Sequence, residues 1–159
     1  MVKITNLKVY TKDFLDGIDN KVLYGSKCQK CGDIQVPAKV ICTACQNPEL
    51  ELVEVKPEGK IASFTCIGVG TTHFVNKGYT MKKPYCVAIV ELEIGAMISA
   101  QLMDGDITYD ENQDPLIGGK PIKVGAPVVG EYEEYKETIE GKRGGPQEID
   151  RCRLIFKLK

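Results

Sequence analysis

Four cysteines in the first third of the sequence constrain this chain more than any other feature. They form two Cys-x2-Cys pairs, Cys28 with Cys31 and Cys42 with Cys45, and ten residues separate the pairs. A Cys-x2-Cys turn points both sulfurs at one centre, and two such turns supply four thiolates in a tetrahedron. Zinc prefers this geometry in closed structural sites. The spacing therefore predicts a small ribbon that is folded around a structural zinc ion.

Two other uses of the same cysteines stay open. Iron in a rubredoxin-like site takes the same four ligands, and the sequence does not separate it from zinc. A redox-active Cys-x-x-Cys stands once and opens a helix in a βαβ pattern, which neither pair does here. Because cysteines fill every position of the tetrahedron, no position is left for a substrate. We therefore expect the metal to be structural.

The charge balance and the apolar pattern of this 159-residue chain argue against a nucleic-acid binder and against a membrane protein. Lys and Arg number 21 against 22 for Asp and Glu, for a formal net charge of −1, whereas a general nucleic-acid binder carries a basic excess. No apolar run approaches the roughly 18 residues of a membrane span, and the N-terminus lacks a signal-peptide core. We expect a soluble cytoplasmic protein that makes no membrane contact, with its seven cysteines reduced or metal-bound.

Beyond residue 50 the apolar pattern predicts strands. Residues 85–94 alternate cleanly, with Cys86, Ala88, Val90, Leu92 and Ile94 facing one way. Glycines stand at the bends, and no convincing helix follows residue 50. The five predicted strands are residues 60–69, 85–94, 96–103, 121–132 and 151–159. A five-stranded, partly open barrel is the OB-fold arrangement.

The apolar residues before the ribbon follow a different period. Phe14, Leu15, Ile18 and Val22 fall at helical spacing, which predicts a short amphipathic helix. The chain is therefore expected to be mostly β, in three parts. These are an N-terminal helical segment at residues 1–27, a rubredoxin-like zinc ribbon at 28–50 and an OB-fold barrel at 51–159.

A zinc ribbon followed directly by a five-stranded barrel resembles the zinc-ribbon, OB-fold acyl-CoA-associated family known as domain of unknown function 35. Leu23–Gly32, Pro37 and Cys42–Cys45 carry the resemblance in the ribbon. Glu58–Thr65 is similar to the family's glycine entry into its first barrel strand, and Gly125–Val128 to a later turn into a strand. The resemblance covers roughly residues 10–159.

The resemblance implies a zinc-binding accessory subunit that is not catalytic alone. Such a subunit binds a thiolase-fold catalytic partner in a hetero-oligomer, such as a heterotetramer. It assists the binding of a CoA thioester, or its thiolytic C–C cleavage by the partner. The narrowest pathway that the resemblance suggests is anaerobic toluene degradation, through a benzylsuccinate-derived CoA ester. The acidic loop at residues 104–114 is longer than in short members of the family, so partner and substrate can differ.

The sequence gives little reason to expect catalysis by this chain itself. A thiolase needs a nucleophilic Cys, a His that activates it and a second Cys. His73 is the only histidine, and Cys66 or Cys86 could be imagined beside it. However, Cys66, Cys86 and Cys152 all lie in apolar strand segments, where Cys packs as a small hydrophobe. We therefore predict no catalytic residue and three core cysteines.

The loop between the first two barrel strands is the predicted CoA- or partner-binding site. OB-folds commonly bind ligands from this rim, where lysines can meet the phosphates of CoA and an aromatic ring can stack on adenine. A solvated lysine loop with no ligand is the alternative. The candidate residues are His73, Phe74, Lys77, Tyr79, Lys82 and Lys83.

Two further alternatives stay open. Ribbons and OB-folds both bind nucleic acids, so a nucleic-acid-binding module is the second functional hypothesis. It is disfavoured, because single-strand binders set aromatic platforms on a basic groove and this chain has no Trp. Residues 131–140 contain five Glu and two Tyr, which indicates either a solvated strand end or an acidic docking patch.

Overall fold

The structure is a computed structural model that describes residues 9–141 and 145–159, so the first eight residues of the predicted N-terminal segment lie outside it. The described chain is mostly β, as predicted. Its helices are α1 (Thr11–Asp19) and α2 (Thr72–Asn76). Its strands are β1 (Tyr24–Cys28), β2 (Ile34–Gln35), β3 (Leu50–Glu54), β4 (Glu58–Ile67), β5 (Tyr85–Leu92), β6 (Met97–Leu102), β7 (Ile107–Tyr109), β8 (Pro115–Ile117), β9 (Lys120–Pro121), β10 (Pro127–Gly141) and β11 (Gly145–Leu158).

The N-terminal helix α1 is confirmed, but it buries less than its apolar spacing indicated. Ile18 is buried and Phe14 packs against the ribbon core, whereas Leu15 is 50% exposed. Val22 lies beyond the helix, because the chain turns at Lys21 through a left-handed conformation (φ 61°). The backbone N–H of Val22 donates to the carbonyl of Gly17 across that turn.

The ribbon sheet consists of β2, β1 and β3 in that spatial order, with antiparallel pairing throughout. In the central strand, Ser26 lies opposite Gln35 on one side and Leu52 on the other. The Ser26 hydroxyl also accepts a hydrogen bond from the backbone of Lys39, at 2.9 Å, and so anchors the segment between the cysteine pairs. The buried cluster here contains Val9, Cys28, Ala38, Cys42, Leu50 and Leu52.

The five long strands form a closed barrel in the order β10, β11, β6, β5, β4, an arrangement consistent with an OB-like fold. The pairings of β4 with β5, β5 with β6 and β4 with β10 are antiparallel. β11 pairs with β6 in parallel, with Phe156 opposite Leu102. The predicted mostly-β architecture of helix, ribbon and five-stranded barrel is thus confirmed.

The alternation in β5 is confirmed for four of its five predicted core residues. Cys86, Ala88, Val90 and Leu92 are buried. Ile94 is 44% exposed, so its assignment to the core was wrong. The strand ends at Leu92, and the backbone N–H of Leu92 donates to the carbonyl of Ala96 across a tight turn. Ile94 therefore lies in the turn rather than in the sheet.

Two stretches after residue 50 carry more regular structure than the sequence predicted. The expectation of no helix there was wrong, because α2 forms one short turn after Thr71. The acidic loop at residues 104–114 contains one strand, β7, which pairs with β8 in a small antiparallel sheet, β7–β8–β9. The turn between β7 and β8 is held by Asp110, whose carboxylate accepts hydrogen bonds from the backbone of Asn112 and Asp114.

The residues group into two compact units, each with its own contacts. Met1–Val55 with Tyr132–Leu154 forms the first unit, and Lys56–Glu131 with Ile155–Lys159 forms the second. The long strands β10 and β11 therefore contribute residues to both units. The three-part division stays a prediction. Within the residues that the structure describes, no helix is both long enough and apolar enough to cross a membrane.

Candidate metal centre and rim loop

The structure brings the four predicted metal ligands together. Their sulfur atoms all lie within 4.8 Å of one another. The Sγ atoms of Cys28 and Cys45 are 3.5 Å apart, and those of Cys31 and Cys42 are 3.6 Å apart. Tetrahedral zinc with Zn–S bonds of about 2.3 Å requires sulfurs about 3.8 Å apart. The cluster therefore has the dimensions of a four-thiolate metal site.

The two cysteine turns are built alike, which explains why both point inward. In the first, the N–H of Gly32 donates to the carbonyl of Cys28, and Gly32 has a φ of 76°. In the second, the N–H of Gln46 donates to the carbonyl of Cys42, and Gln46 has a φ of 59°. Each turn thus needs a left-handed residue directly after its second cysteine. Glycine supplies this without strain in the first turn only.

Hydrogen bonds prepare the buried Cys28 to ionise. Burial alone raises the pKa of this thiol, but backbone amides of Cys31 and Lys30 and the side chain of Asn47 lower it to about 6. The Lys30 amide lies 3.4 Å and the Asn47 amide nitrogen 3.6 Å from the Cys28 sulfur. Asn47 was missed by the sequence reasoning. Its position two residues after Cys45 was the available signal, since turn residues often donate to a metal-binding sulfur.

The pKa values of two neighbouring thiols, Cys31 and Cys45, are raised instead. The backbone amide of Asp33 lowers the pKa of Cys31, but hydrogen bonds with the neighbouring thiols and burial raise it to about 12. The pKa of Cys45 is also raised. Four thiolates this close together repel one another, and a divalent cation removes that repulsion. The residues present therefore fit a metal ion, and zinc and iron both use this ligand set.

The rim loop between β4 and β5 is organised around an aromatic cluster. The ring of Phe74 stacks on Tyr85 with centroids 4.1 Å apart and 5° between the planes. Tyr79 packs against both rings, at 6.0 and 5.2 Å. The Nε2 atom of Gln101 donates to the Tyr79 hydroxyl at 3.0 Å. Tyr85 and Gln101 were not predicted as part of this site, because in the sequence both read as barrel-strand residues.

The polar candidates of the loop are exposed side chains with different neighbours. His73 is exposed and meets Phe74 edge to face, with centroids 5.4 Å apart. Lys83 forms an ion pair with Asp106 at 3.4 Å. Lys77 and Lys82 are exposed. The structure thus brings His73, Phe74 and Tyr79 together, and pairs Lys83 with Asp106.

Two apolar side chains of the same loop are strongly exposed. Met81 is 79% exposed and Val69 is 74% exposed. The backbone of Met81 lies close to Gly68, where an added Cβ would be 3.2 Å from the Met81 Cα atom. The rim loop therefore presents apolar and cationic side chains together on the second unit.

The glutamate-rich segment at residues 131–140 is paired with basic residues of neighbouring elements. Glu133 bonds to Arg153, and Glu137 to Arg151 at 3.2 Å. Four of the five glutamates of this segment have a basic partner in their own unit, which favours a solvated, ion-paired strand end for these four, and the side chain of Glu140 lies outside the described residues. The remaining pairs are Glu134 with Lys21 and Glu131 with Lys157.

The three cysteines outside the ribbon differ in burial. Cys86 and Cys152 are buried, as predicted for core residues. Cys66 is only partly buried, so its assignment to the core was too strong. Burial raises the pKa of Cys86 to about 12 and raises that of Cys66 as well. Thiols with such pKa values are mostly protonated at neutral pH, so they react slowly, through a small thiolate fraction.

Comparison with known proteins finds relatives of similar sequence. No family model matches the chain. A DUF35 domain-containing scaffold protein of Methanothermobacter thermautotrophicus is 39% identical over 85 residues, which cover 53% of this chain and 60% of the relative. The benzoylsuccinyl-CoA thiolase subunit BbsA of Geobacter metallireducens is 32% identical over 105 residues, or 64% of each chain. The chain is thus similar in sequence to DUF35 proteins over about half of its length and to a thiolase subunit over 64% of it.

Solved structures agree with the DUF35 fold. The chain aligns over 98% of its length with a chain of an Ltp2-ChsH2(DUF35) aldolase, at a TM-score of 0.59 and 18% identity, covering 97% of that chain. A DUF35-family protein of unknown function from Sulfolobus solfataricus aligns over 93% of this chain and 84% of its own, at a TM-score of 0.52 and 21% identity. At these identities the likeness concerns the fold. By sequence, the chain matches 60% of the first DUF35 relative and 55% of a second, from Methanocaldococcus jannaschii.

Proposed function

We propose that this protein is a non-catalytic accessory subunit of a thiolase-fold acyl-CoA enzyme. It binds its catalytic partner in a hetero-oligomer, such as a heterotetramer, and assists CoA-thioester binding or thiolytic C–C cleavage by that partner. The observation that carries the proposal is the 32% identity to the BbsA thiolase subunit over 105 residues, in a chain that also has a four-cysteine cluster. The same subunit from Thauera aromatica is 30% identical over 98 residues.

Zinc is the proposed metal, and its function is structural. Cys28, Cys31, Cys42 and Cys45 would hold it with four thiolates, which leaves no position for water or substrate. A bound zinc ion here would neutralise the thiolates and tie β1 to the second cysteine turn. Chemistry on the thioester therefore belongs to the partner. The exposed position of His73 and the raised pKa of Cys86 both support the proposal that the catalytic residues belong to the partner.

The rim loop is the proposed contact for the partner or for CoA. Its exposed lysines, Lys77 and Lys82, suit phosphate groups or acidic side chains. Phe74 and Tyr79 supply an aromatic surface held in place by Tyr85. Lys83 and His73 would contribute at the edge of this surface. The benzylsuccinate pathway is the proposed context. The cytoplasm is the proposed location, because a reducing compartment keeps the metal-binding cysteines free of disulfides.

Affinity purification of the tagged chain from its native host tests the proposal. We expect a thiolase-fold enzyme to co-purify, with about one zinc ion per chain by metal analysis. Recovery of zinc-loaded chain with RNA or DNA and no enzyme would contradict the proposal in favour of the nucleic-acid-binding alternative.

The charges along β11 give a structural argument against that alternative. Arg151, Arg153 and Lys157 are each paired with a glutamate, which argues against a basic groove along this strand.

Charge reversal in the rim loop tests the proposed contact separately. In the Lys82→Glu and Lys83→Glu double variant, we expect partner or CoA-ester binding to weaken by roughly tenfold at low salt, because rim charges act mainly through steering. The zinc content should not change. Lys39→Glu with Lys123→Glu is the matched control, since both residues are exposed and lie outside the loop. Equal binding by the two double variants would remove the rim loop from the interface.

A further inference from the structure

Two cysteines outside the metal centre lie directly opposite each other in the barrel. Cys66 of β4 is the cross-strand partner of Cys86 of β5. Directly opposite residues of an antiparallel pair have Cα atoms about 4.5–5.5 Å apart and side chains on the same face. A disulfide needs Cα atoms about 4.4–6.8 Å apart. The backbone therefore already holds these two residues at the separation that a disulfide requires.

The two thiols differ in access, which sets an order of reaction. Cys86 is fully buried, whereas Cys66 is partly exposed near the end of β4. Each thiol also affects the ionisation of the other, so the two side chains face one another within the second unit. An external reagent would reach Cys66 first. Cys86 would then be the resolving thiol.

We propose that Cys66 and Cys86 form a modification site, at which a low-molecular-weight disulfide such as oxidised glutathione converts the thiol pair to an intramolecular disulfide. The minor thiolate fraction of Cys66, which grows as pH rises, attacks one sulfur of the reagent; the reagent's S–S bond breaks, and one glutathione leaves and takes a proton. The Cys86 thiolate then attacks Sγ of Cys66 in the mixed disulfide and releases the second glutathione. The two protein thiols are oxidised by two electrons, and the reagent is reduced to two thiols.

The position of this disulfide gives it a consequence for the rim loop. Residues 67–85 lie between the two cysteines and contain the whole loop, including Phe74 and Tyr79. Tyr85, the residue next to Cys86, stacks on Phe74. A Cys66–Cys86 disulfide would therefore join the two strands at the base of the loop and restrict its opening. The reduced chain lacks this restraint, so the thiol state controls the freedom of the loop.

The test uses the full-length, metal-loaded chain. The chain is incubated with oxidised glutathione, free thiols are alkylated, and the loop is cut by limited trypsin treatment after Lys77 or Lys82. In the oxidised chain we expect the two fragments to stay joined on a non-reducing gel and to separate on a reducing gel. Peptide mapping should find residues 61–77 linked to the peptide that contains Cys86. The metal content should be the same before and after oxidation.

Cys66→Ser and Cys152→Ser are the matched variants. The first should give separate fragments on both gels, whereas the second should behave as the unaltered chain, because Cys152 lies in the other unit. Two results would overturn the proposal. One is Cys66 that carries glutathione without linkage to Cys86. The other is linkage that appears only when the chain is oxidised in denaturant.

Discussion

Asp19, at the end of α1, carries polar contacts that link distant parts of the sequence within the first unit. Its carboxylate accepts hydrogen bonds from Nη1 of Arg151 at 2.7 Å and from the backbone N–H of Cys152 at 2.9 Å. The Cys152 amide lowers the pKa of Asp19 most, burial opposes this, and Arg151 lowers the pKa further. A carboxyl whose pKa is lower in the folded chain stabilises the fold above the pKa of the unfolded chain.

The Asp19→Asn variant should therefore lose stability in a pH-dependent way. We expect a free energy of unfolding about 1 kcal/mol lower at pH 7, since one charge-assisted contact is lost at a partly exposed site. The difference should shrink as pH falls from about 4, where the Asp19 carboxyl of the unfolded chain takes up its proton, through the lower pKa of the folded chain. Urea unfolding at several pH values measures this. Asp16→Asn is the control, because the Asp16 carboxylate forms an exposed ion pair with Lys12; an equal, pH-independent loss in both variants would contradict the assignment.

Strand β4 depends on a close approach that only glycine permits. At Gly59, an added Cβ would lie 2.1 Å from the carbonyl oxygen of Glu91, across the pairing of β4 with β5. The obstructing atom belongs to the backbone, so it cannot move aside without breaking the sheet. Gly59, which is similar to the family's glycine at the entry into the first barrel strand, is therefore required at this position for steric reasons.

Replacing Gly59 tests this reason at the level of the strand. Gly59→Ala should lower the free energy of unfolding by about 2 kcal/mol or more, because the two strands must separate locally. Ser63→Ala is the control on the same strand, since Ser63 is exposed, and it should stay within about 0.5 kcal/mol. Denaturant unfolding followed by circular dichroism gives both values. Equal stability of Gly59→Ala and the unaltered chain would mean that β4 and β5 are farther apart here.

At the level of the whole molecule, the two units differ in what stabilises them. Cys28 and Cys42 belong to the small buried cluster of the ribbon, so the metal centre and that core are the same structure. A segment as short as the ribbon buries too little apolar surface to fold without a bound metal ion or another cross-link. The barrel strands instead enclose a larger apolar interior, which includes Val90, Val128 and Phe156.

Metal removal should accordingly unfold one region more than the other. After chelation, we expect backbone amides of residues 24–54 to exchange hydrogen with solvent much faster, while those of β4, β5 and β6 keep their protection. Hydrogen-exchange mass spectrometry of the metal-loaded and chelated chains measures this. The Cys31→Ser and Cys45→Ser double variant is the control, since chelator should change little in a chain that already lacks two ligands. A uniform rise in exchange across the barrel would show that the two regions unfold together.

Parts of this molecule could be predicted from the sequence because their signals are local. The cysteine pairs, the β5 alternation and the α1 spacing each fix a period or a spacing within a few residues. The turn of α2 and the small β7–β8–β9 sheet were missed, since short elements carry too few residues for a period to show. Ile94 was misassigned because a turn ended the alternation one residue pair early.

The sequence by itself determined which residues can bind a metal and which strands can build a barrel, because ligand type, spacing and alternation are properties of neighbouring residues. Only the tertiary structure decided which distant residues meet. It placed Asn47 beside Cys28, Tyr85 beneath Phe74 and Cys66 opposite Cys86. Contacts of this kind depend on strand register and chain reversal, which the apolar pattern and the turn residues of one sequence constrain without naming the pairs that meet.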